Sequence, residues 1–101
     1  MAVIANYSIN GADVEIGSIS IDPASVGANT TATGTATLTG AKSGDTVTLF
    51  APSGLTTGLV LVGASITADA ELTYRLGNVT GSGVDAGATT FIYTLYKRVA
   101  R

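Results

Sequence analysis

The stretch of residues 30–40, TTATGTATLTG, alternates with a period of two, and this alternation constrains the fold more than any other feature of the chain. Successive side chains of a β-strand point to opposite faces of a sheet, so a strand here would have two different faces. One face would be small and apolar and the other a ladder of threonines: Ala32, Gly34, Ala36 and Leu38 against Thr31, Thr33, Thr35, Thr37 and Thr39. The stretch therefore predicts a strand that presents hydroxyls and methyls but no charge.

The same period-two pattern recurs along the chain, and turn residues interrupt it about every ten residues, a spacing typical of β-sandwiches and barrels. No segment has a convincing helical periodicity. At 101 residues the chain has room for one core, because domains most often have about 100–150 residues. The pattern predicts an all-β fold, with a single antiparallel β-sandwich or jelly-roll-like domain over residues 13–101. Residues 1–12 are predicted to form an N-terminal arm or an edge strand.

Four local features refine this prediction. The dipeptide Asn10-Gly11 is a strong tight-turn signal. The phase of the apolar residues changes around Gly17, which predicts a β-bulge there. Residues 59–62, LVLV, are apolar on both faces and predict a strand that is buried on both sides or lies in a subunit contact. Residues 77–87, GNVTGSGVDAG, predict the longest flexible loop.

The composition argues against several classes of function. Charged residues make up only 12% of the chain and the net charge is −2, so the basic surface of a nucleic-acid-binding protein is missing. The longest apolar run, residues 59–64, is far shorter than the roughly 20 residues of a membrane-spanning helix. The N-terminus lacks the basic segment of a secretory signal. We expect a protein made in the cytosol that binds neither nucleic acid nor membrane.

The chain is also poor in reactive side chains, since it has no histidine and no cysteine. General acid–base catalysis and serine activation usually need a group that titrates near neutral pH. The carboxylate pairs Asp13/Glu15 and Asp69/Glu71 could in principle bind Ca²⁺, but each adjoins a turn, and we interpret both as solvated turn residues. The sequence therefore predicts no catalytic residue, no cofactor and no metal site, and the protein is not expected to be an enzyme.

Three N-x-[ST] triplets begin at Asn6, Asn29 and Asn78. In a secreted eukaryotic chain such triplets are glycan acceptors. Without a signal sequence, we interpret them as asparagines in turns within a threonine-rich chain.

Three of the five basic residues crowd into the C-terminus: Lys97, Arg98 and Arg101. They can form a solvated tail that adds solubility. Alternatively, they form an electrostatic latch onto an acidic partner surface, which would orient docking more than it adds affinity.

Two passages carry a resemblance to a known family: IDPASVGANTTATGTATLTGAKSGDTV and SGLTTGLVLVGASITADAELTYRLGNVTGSGVD. Their turn motifs and strand pattern, over about residues 20–98, resemble the capsid cement, or decoration, proteins of tailed bacteriophages. The likeness includes no catalytic motif.

The resemblance implies a virion structural protein that trimerises and clamps the outside of an icosahedral head at local threefold axes. The implied partners are the major capsid protein and further copies of the chain, and the implied location is the capsid exterior. The contact residues expected here are Ala2, Val3, Ile4, Tyr7 and Ile9 of the arm, through strand addition, and the tail cations Lys97, Arg98 and Arg101.

An alternative from another class is a binding module, either a head-fibre base or a carbohydrate-binding β-sandwich displayed on a virion or cell surface. Sugar sites usually present exposed aromatic side chains. This chain has four tyrosines, two phenylalanines and no tryptophan, so it is poorly supplied with them.

Overall fold

The computed structural model describes the backbone of residues 2–9 and 12–97 and the side chains of residues 13–97. It contains seven strands and, over those residues, no helix. The strands are β1 (Ala2–Ile9), β2 (Ala12–Ile21), β3 (Thr30–Thr37), β4 (Thr46–Phe50), β5 (Leu59–Ala68), β6 (Glu71–Asn78) and β7 (Thr89–Tyr96). The prediction of an all-β fold is confirmed.

The strands form two antiparallel sheets. One has four strands in the order β1-β2-β7-β4, and the other has three in the order β3-β6-β5. Buried residues of both sheets belong to one hydrophobic cluster, as expected where two sheets pack face to face. The arrangement is compatible with a β-sandwich.

The centre of the core is aromatic and aliphatic. Phe91, Tyr93 and Leu95 on β7 alternate with outward residues and face Leu72 and Tyr74 on β6 within the same cluster. A second, smaller cluster is formed by Val26, Leu59 and Leu76. The alternation seen in the sequence therefore sorts residues between core and surface as a sheet requires.

The threonine-rich stretch forms β3, at the edge of the three-stranded sheet. Its inward residues, Ala32, Gly34 and Ala36, are only partly buried and its threonines are exposed. Gly34 lies directly opposite Tyr74 in the pairing of β3 with β6. A Cβ added to Gly34 would lie 2.5 Å from Cζ of Tyr74, so the glycine leaves room for a core aromatic ring.

The bulge predicted at Gly17 lies on the neighbouring strand instead. β2 pairs with β7 without interruption from Val14 to Ile21. The register shift falls in β1, between Val3 and Ala5, opposite Gly17 and Ile16. The phase change has another cause. Val14 and Ile16 lie on the outward side of β2, whereas Ile19 and Ile21 lie in the core, so the apolar residues change face without a break in the strand.

The expectations for residues 59–62 and 77–87 are partly corrected. β5 is an edge strand whose Val60 and Val62 are exposed, so it is not buried on both sides within one chain. The predicted loop is anchored to the rest of the fold within residues 79–88, because Val84 pairs with Val26 through two backbone hydrogen bonds of 2.8 and 2.9 Å.

Asn78 fixes the start of this loop. Its buried amide donates hydrogen bonds to the carbonyl oxygens of Val26 and Ser82, at 3.0 and 2.7 Å. Its Oδ1 accepts from the backbone N–H and the hydroxyl of Thr80, at 2.9 and 2.7 Å. A buried amide with these four bonds has a structural role, and its N-x-T triplet is no glycan acceptor in this fold.

Candidate interaction surface

One face of the four-stranded sheet turns away from the core and carries no charged residue at its described positions. We call it the uncharged face and define it by the outward residues of β2, β4 and β7. These are Ile16, Ser18, Ser20, Thr46, Thr48, Phe50, Thr90, Ile92 and Tyr96, which are at least partly exposed, together with Val14 and Thr94, which are buried. Their assignment follows from the alternation of β7, whose Phe91, Tyr93 and Leu95 are in the core.

Three large apolar or aromatic side chains of this face are exposed. Phe50 is 49% exposed, Ile92 39% and Tyr96 44%. Phe50 and Ile92 lie directly opposite each other in the pairing of β4 with β7, a position at which cross-strand side chains touch. Thr48 and Thr94 lie between this pair and Tyr96, so the face presents exposed apolar side chains interspersed with threonine and serine hydroxyls.

Such a surface resembles the core of a protein interface more than ordinary solvent-exposed sheet. Interface cores are depleted in charged residues and enriched in aromatic ones. The described charges instead lie at strand ends, in turns, on the inward side of β2 or on the other sheet. Phe50, Ile92 and Tyr96 were not predicted as contact residues, although the sequence held a signal: each is apolar or aromatic at an outward position, where the alternation of β4 and β7 would place a polar residue.

The predicted contact strand, residues 2–9, is the edge strand β1. Ala2 and Val3 lie opposite Ser18 and Gly17, and Ile4 falls at the register shift. Tyr7 lies opposite Val14, and Ile9 opposite Ala12. β1 therefore extends the sheet that carries the uncharged face, and the side chains of its residues lie outside the described part of the chain. The turn predicted at residues 10–11 also lies outside it.

Lys97 is bound within its own chain. Its Nζ lies 3.5 Å from Oε1 of Glu15, and its backbone N–H donates a 2.9 Å hydrogen bond to the carbonyl oxygen of Asp13. An acidic partner would have to compete with Glu15 for this ammonium group. Arg98 and Arg101 lie outside the described residues, so the latch remains a prediction that rests on them.

Glu15 is buried, which corrects its interpretation as a solvated turn residue. Its Oε2 accepts a 2.5 Å hydrogen bond from the hydroxyl of Tyr93. Burial raises the pKa of Tyr93 well above its ordinary value, and the hydrogen bond to Glu15 and the charge of that carboxylate raise it further. The three side chains of Glu15, Tyr93 and Lys97 form a satisfied polar cluster at the core, as buried charges require.

The second carboxylate pair serves two separate contacts. Asp69 accepts a 2.9 Å hydrogen bond from the backbone N–H of Ser43 and lies 3.9 Å from Nζ of Lys42. Glu71 accepts a 2.7 Å hydrogen bond from the hydroxyl of Thr67. Among the side chains of residues 13–97, no group of three or more carboxylates could hold a metal ion.

Comparison with known proteins adds no relative to this description. No family model matches the chain, and neither the curated proteins nor the solved structures contain a match. Over the described residues, no helix has the length and apolar character needed to cross a membrane.

Proposed function

We propose that this chain is a non-catalytic structural protein of a bacteriophage virion, a capsid cement protein that binds the outside of the head. It acts as a homotrimer of jelly-roll-like subunits at threefold positions, with the major capsid protein as its partner. The resemblance of residues 20–98 to decoration proteins supports the choice of partner. The low charge supports a role in protein contacts without nucleic acid.

The observation that carries the proposal is the uncharged face. Phe50, Ile92 and Tyr96 remain exposed on a sheet whose opposite side packs a complete core. Burying apolar surface contributes roughly 25 cal/mol for each Å² removed from water, so covering this face with another protein surface is favourable. Threonine and serine hydroxyls around it can bond directly or through water to a partner.

Cementing then follows from mass action. A protein that binds only the assembled shell stabilises the shell by RT ln(1 + [L]/Kd), about 2.7 kcal/mol per site at a hundred times Kd. Because an icosahedral head repeats the site many times, small contributions add to a large stabilisation of the expanded capsid.

The test combines two measurements on the purified protein. Light scattering gives its oligomeric state, and co-sedimentation with empty phage heads gives its occupancy. A trimer that sediments with heads supports the proposal, whereas a monomer that remains in the supernatant contradicts it. Binding to glycans without binding to heads would support the carbohydrate-binding alternative instead.

A matched pair of variants connects the outcome to the uncharged face. Ile92→Lys places a charge beside Phe50, and it should reduce trimer formation or head occupancy at least tenfold. Val79→Lys makes the same kind of change at an exposed apolar residue of the loop after β6, and it should leave both unchanged. Equal effects of the two variants would remove the uncharged face from the proposal.

A further inference from the structure

Among the strand edges of the described residues, the free edge of β3 is the least protected. Edge strands in monomeric proteins are usually kept short, interrupted by bulges or charged. β4 has only five residues, β5 has register shifts at Val62 and Thr67, and β1 has one at Ile4. β3 pairs with β6 in one unbroken register over all eight of its residues, from Thr30 to Thr37, and it contains no charge and no proline.

The other side of β3 is open. Within the described part of the chain, no backbone hydrogen bond joins residues 30–37 to any strand other than β6. Pro23 and Ala24 come near the strand, but they share their depression with Tyr74 and Leu76 of β6. The depression also takes in Ala32, Thr33 and Gly34, so residues 23–24 lie beside this part of β3 without a backbone hydrogen bond to it.

The sequence of this edge is palindromic. Residues 31–37, TATGTAT, read identically in both directions about Gly34. An antiparallel copy related by a twofold axis at Gly34 would place every residue opposite one of the same kind. Thr31 would face the partner's Thr37, Ala32 the partner's Ala36, and Thr33 the partner's Thr35.

We propose that β3 is a self-association edge, through which two copies of this chain pair antiparallel about a twofold axis at Gly34. The contact joins the two three-stranded sheets into one six-stranded sheet, and β3 itself contributes no charged residue to it. It goes beyond the proposed trimer, because an isologous contact closes a pair and cannot by itself build a threefold assembly.

The threonines of the edge suit this pairing. On the same face, the hydroxyls of Thr67 and Thr73 already form a 2.7 Å hydrogen bond between β5 and β6. The hydroxyls of Thr31, Thr35 and Thr37 have no hydrogen-bond partner among the described residues. Opposed threonines across two strands stabilise strand pairing, in addition to the main-chain ladder.

Cysteine cross-linking tests the contact directly, because the native chain has no cysteine. Opposite residues of an antiparallel pair have Cα atoms about 4.5–5.5 Å apart, a separation that a disulfide can span. The double variant Thr31→Cys/Thr37→Cys should therefore oxidise to a covalent dimer on a non-reducing gel. Residues 31 and 37 of one strand are roughly 20 Å apart, so they cannot bridge within a chain.

The single variants are the matched controls. Thr31→Cys alone and Thr37→Cys alone should stay monomeric on the same gel, while an equimolar mixture of the two should give the dimer. Failure of both the double variant and the mixture to cross-link would overturn the proposal, as would equal cross-linking of the single variants. A ladder of higher oligomers from the double variant would also overturn it, since a twofold contact closes after two copies.

A charge-swap pair provides a second measurement that avoids disulfides. Thr31→Lys/Thr37→Lys puts two lysine pairs across the axis and should weaken self-association at least tenfold in sedimentation velocity. Thr31→Glu/Thr37→Lys puts opposite charges across the same positions and should retain it. Head co-sedimentation of both variants separates this proposal from the proposed function. If the double-lysine variant loses pairing but still binds heads fully, the pairing proposal is supported and the proposed trimer and capsid contact are unaffected.

Discussion

The ring of Tyr74 on β6 lies over Gly34, the residue directly opposite it on β3. This contact fixes where the threonine-rich strand lies on the core. A Cβ at residue 34 would come within 2.5 Å of Cζ of the ring and within 2.8 Å of Cε2. Tyr74 is buried in the main cluster, so the ring cannot simply swing into solvent. The glycine at the centre of TTATGTATLTG is therefore a packing requirement.

Gly34→Ala should destabilise the protein. Forcing a methyl group into a packed site typically costs about 1–3 kcal/mol, and this should appear as a lower urea midpoint with an unchanged slope. Gly63→Ala is the control, because it lies in β5 with no heavy atom within 4 Å of an added Cβ. That variant should be neutral or slightly stabilising. Equal destabilisation by both variants would contradict the packing role of Gly34.

Tyr93→Phe should destabilise the protein through Glu15. The phenol donates the hydrogen bond that satisfies Oε2 of this buried carboxylate, and a buried acceptor that loses its partner costs about 1–3 kcal/mol. Tyr96→Phe changes an exposed, outward residue of the same strand and should have little effect on the midpoint of chemical denaturation. If both variants unfold at the wild-type urea concentration, the Glu15 cluster does not contribute to stability.

Alkaline pH should weaken the fold through the same tyrosine. The pKa of Tyr93 in the folded protein lies above its unfolded value of about 10. A raised pKa means that the folded state holds the proton of Tyr93 more tightly than the unfolded state does. The protonated hydroxyl therefore stabilises the fold fully below pH ~10, and this stabilisation is lost as pH rises towards the folded pKa. The free energy of unfolding of the wild type should therefore fall more steeply above pH ~10 than that of Tyr93→Phe. Parallel pH profiles of the two proteins would contradict this assignment.

Deleting residues 2–9 should lower occupancy on purified heads. The deletion removes β1 and leaves β2 at the edge of the four-stranded sheet, so any strand addition through Ala2, Val3, Ile4, Tyr7 or Ile9 is lost. Circular dichroism of the truncated protein serves as the control for folding. Unchanged occupancy and unchanged heat resistance of the decorated heads would exclude a role of the arm in capsid binding.

The C-terminal cations should have two different roles: Lys97 should stabilise the fold, and Arg98 and Arg101 should contribute to head binding. Lys97→Met removes the ion-pair partner of the buried Glu15 and should lower stability by about 1–3 kcal/mol. Arg98→Gln/Arg101→Gln should leave stability unchanged and weaken head binding chiefly at low salt, since exposed charges are screened as ionic strength rises. Binding that is identical to wild type at every salt concentration would exclude the latch.

Local sequence patterns determined the fold class of this protein and the faces of its strands. The period-two alternation is a property of each strand by itself, so the sequence predicted the all-β class, the two faces of β3 and the absence of a helical segment. Turn residues similarly indicated where most strands end. These features follow from backbone sterics and side-chain direction, which act over a few residues.

Contacts between distant residues were decided only by the tertiary structure. Glu15 looked like a turn carboxylate until the pairing of β2 with β7 placed it on the core side beside Tyr93, 78 positions away. Phe50 and Ile92 became neighbours only because β4 pairs with β7. Strand order and register depend on how the whole chain buries its apolar surface, and no short stretch of sequence carries that information. For the same reason, TTATGTATLTG specified a strand by itself, whereas its place at an open edge, over Tyr74, came from the fold.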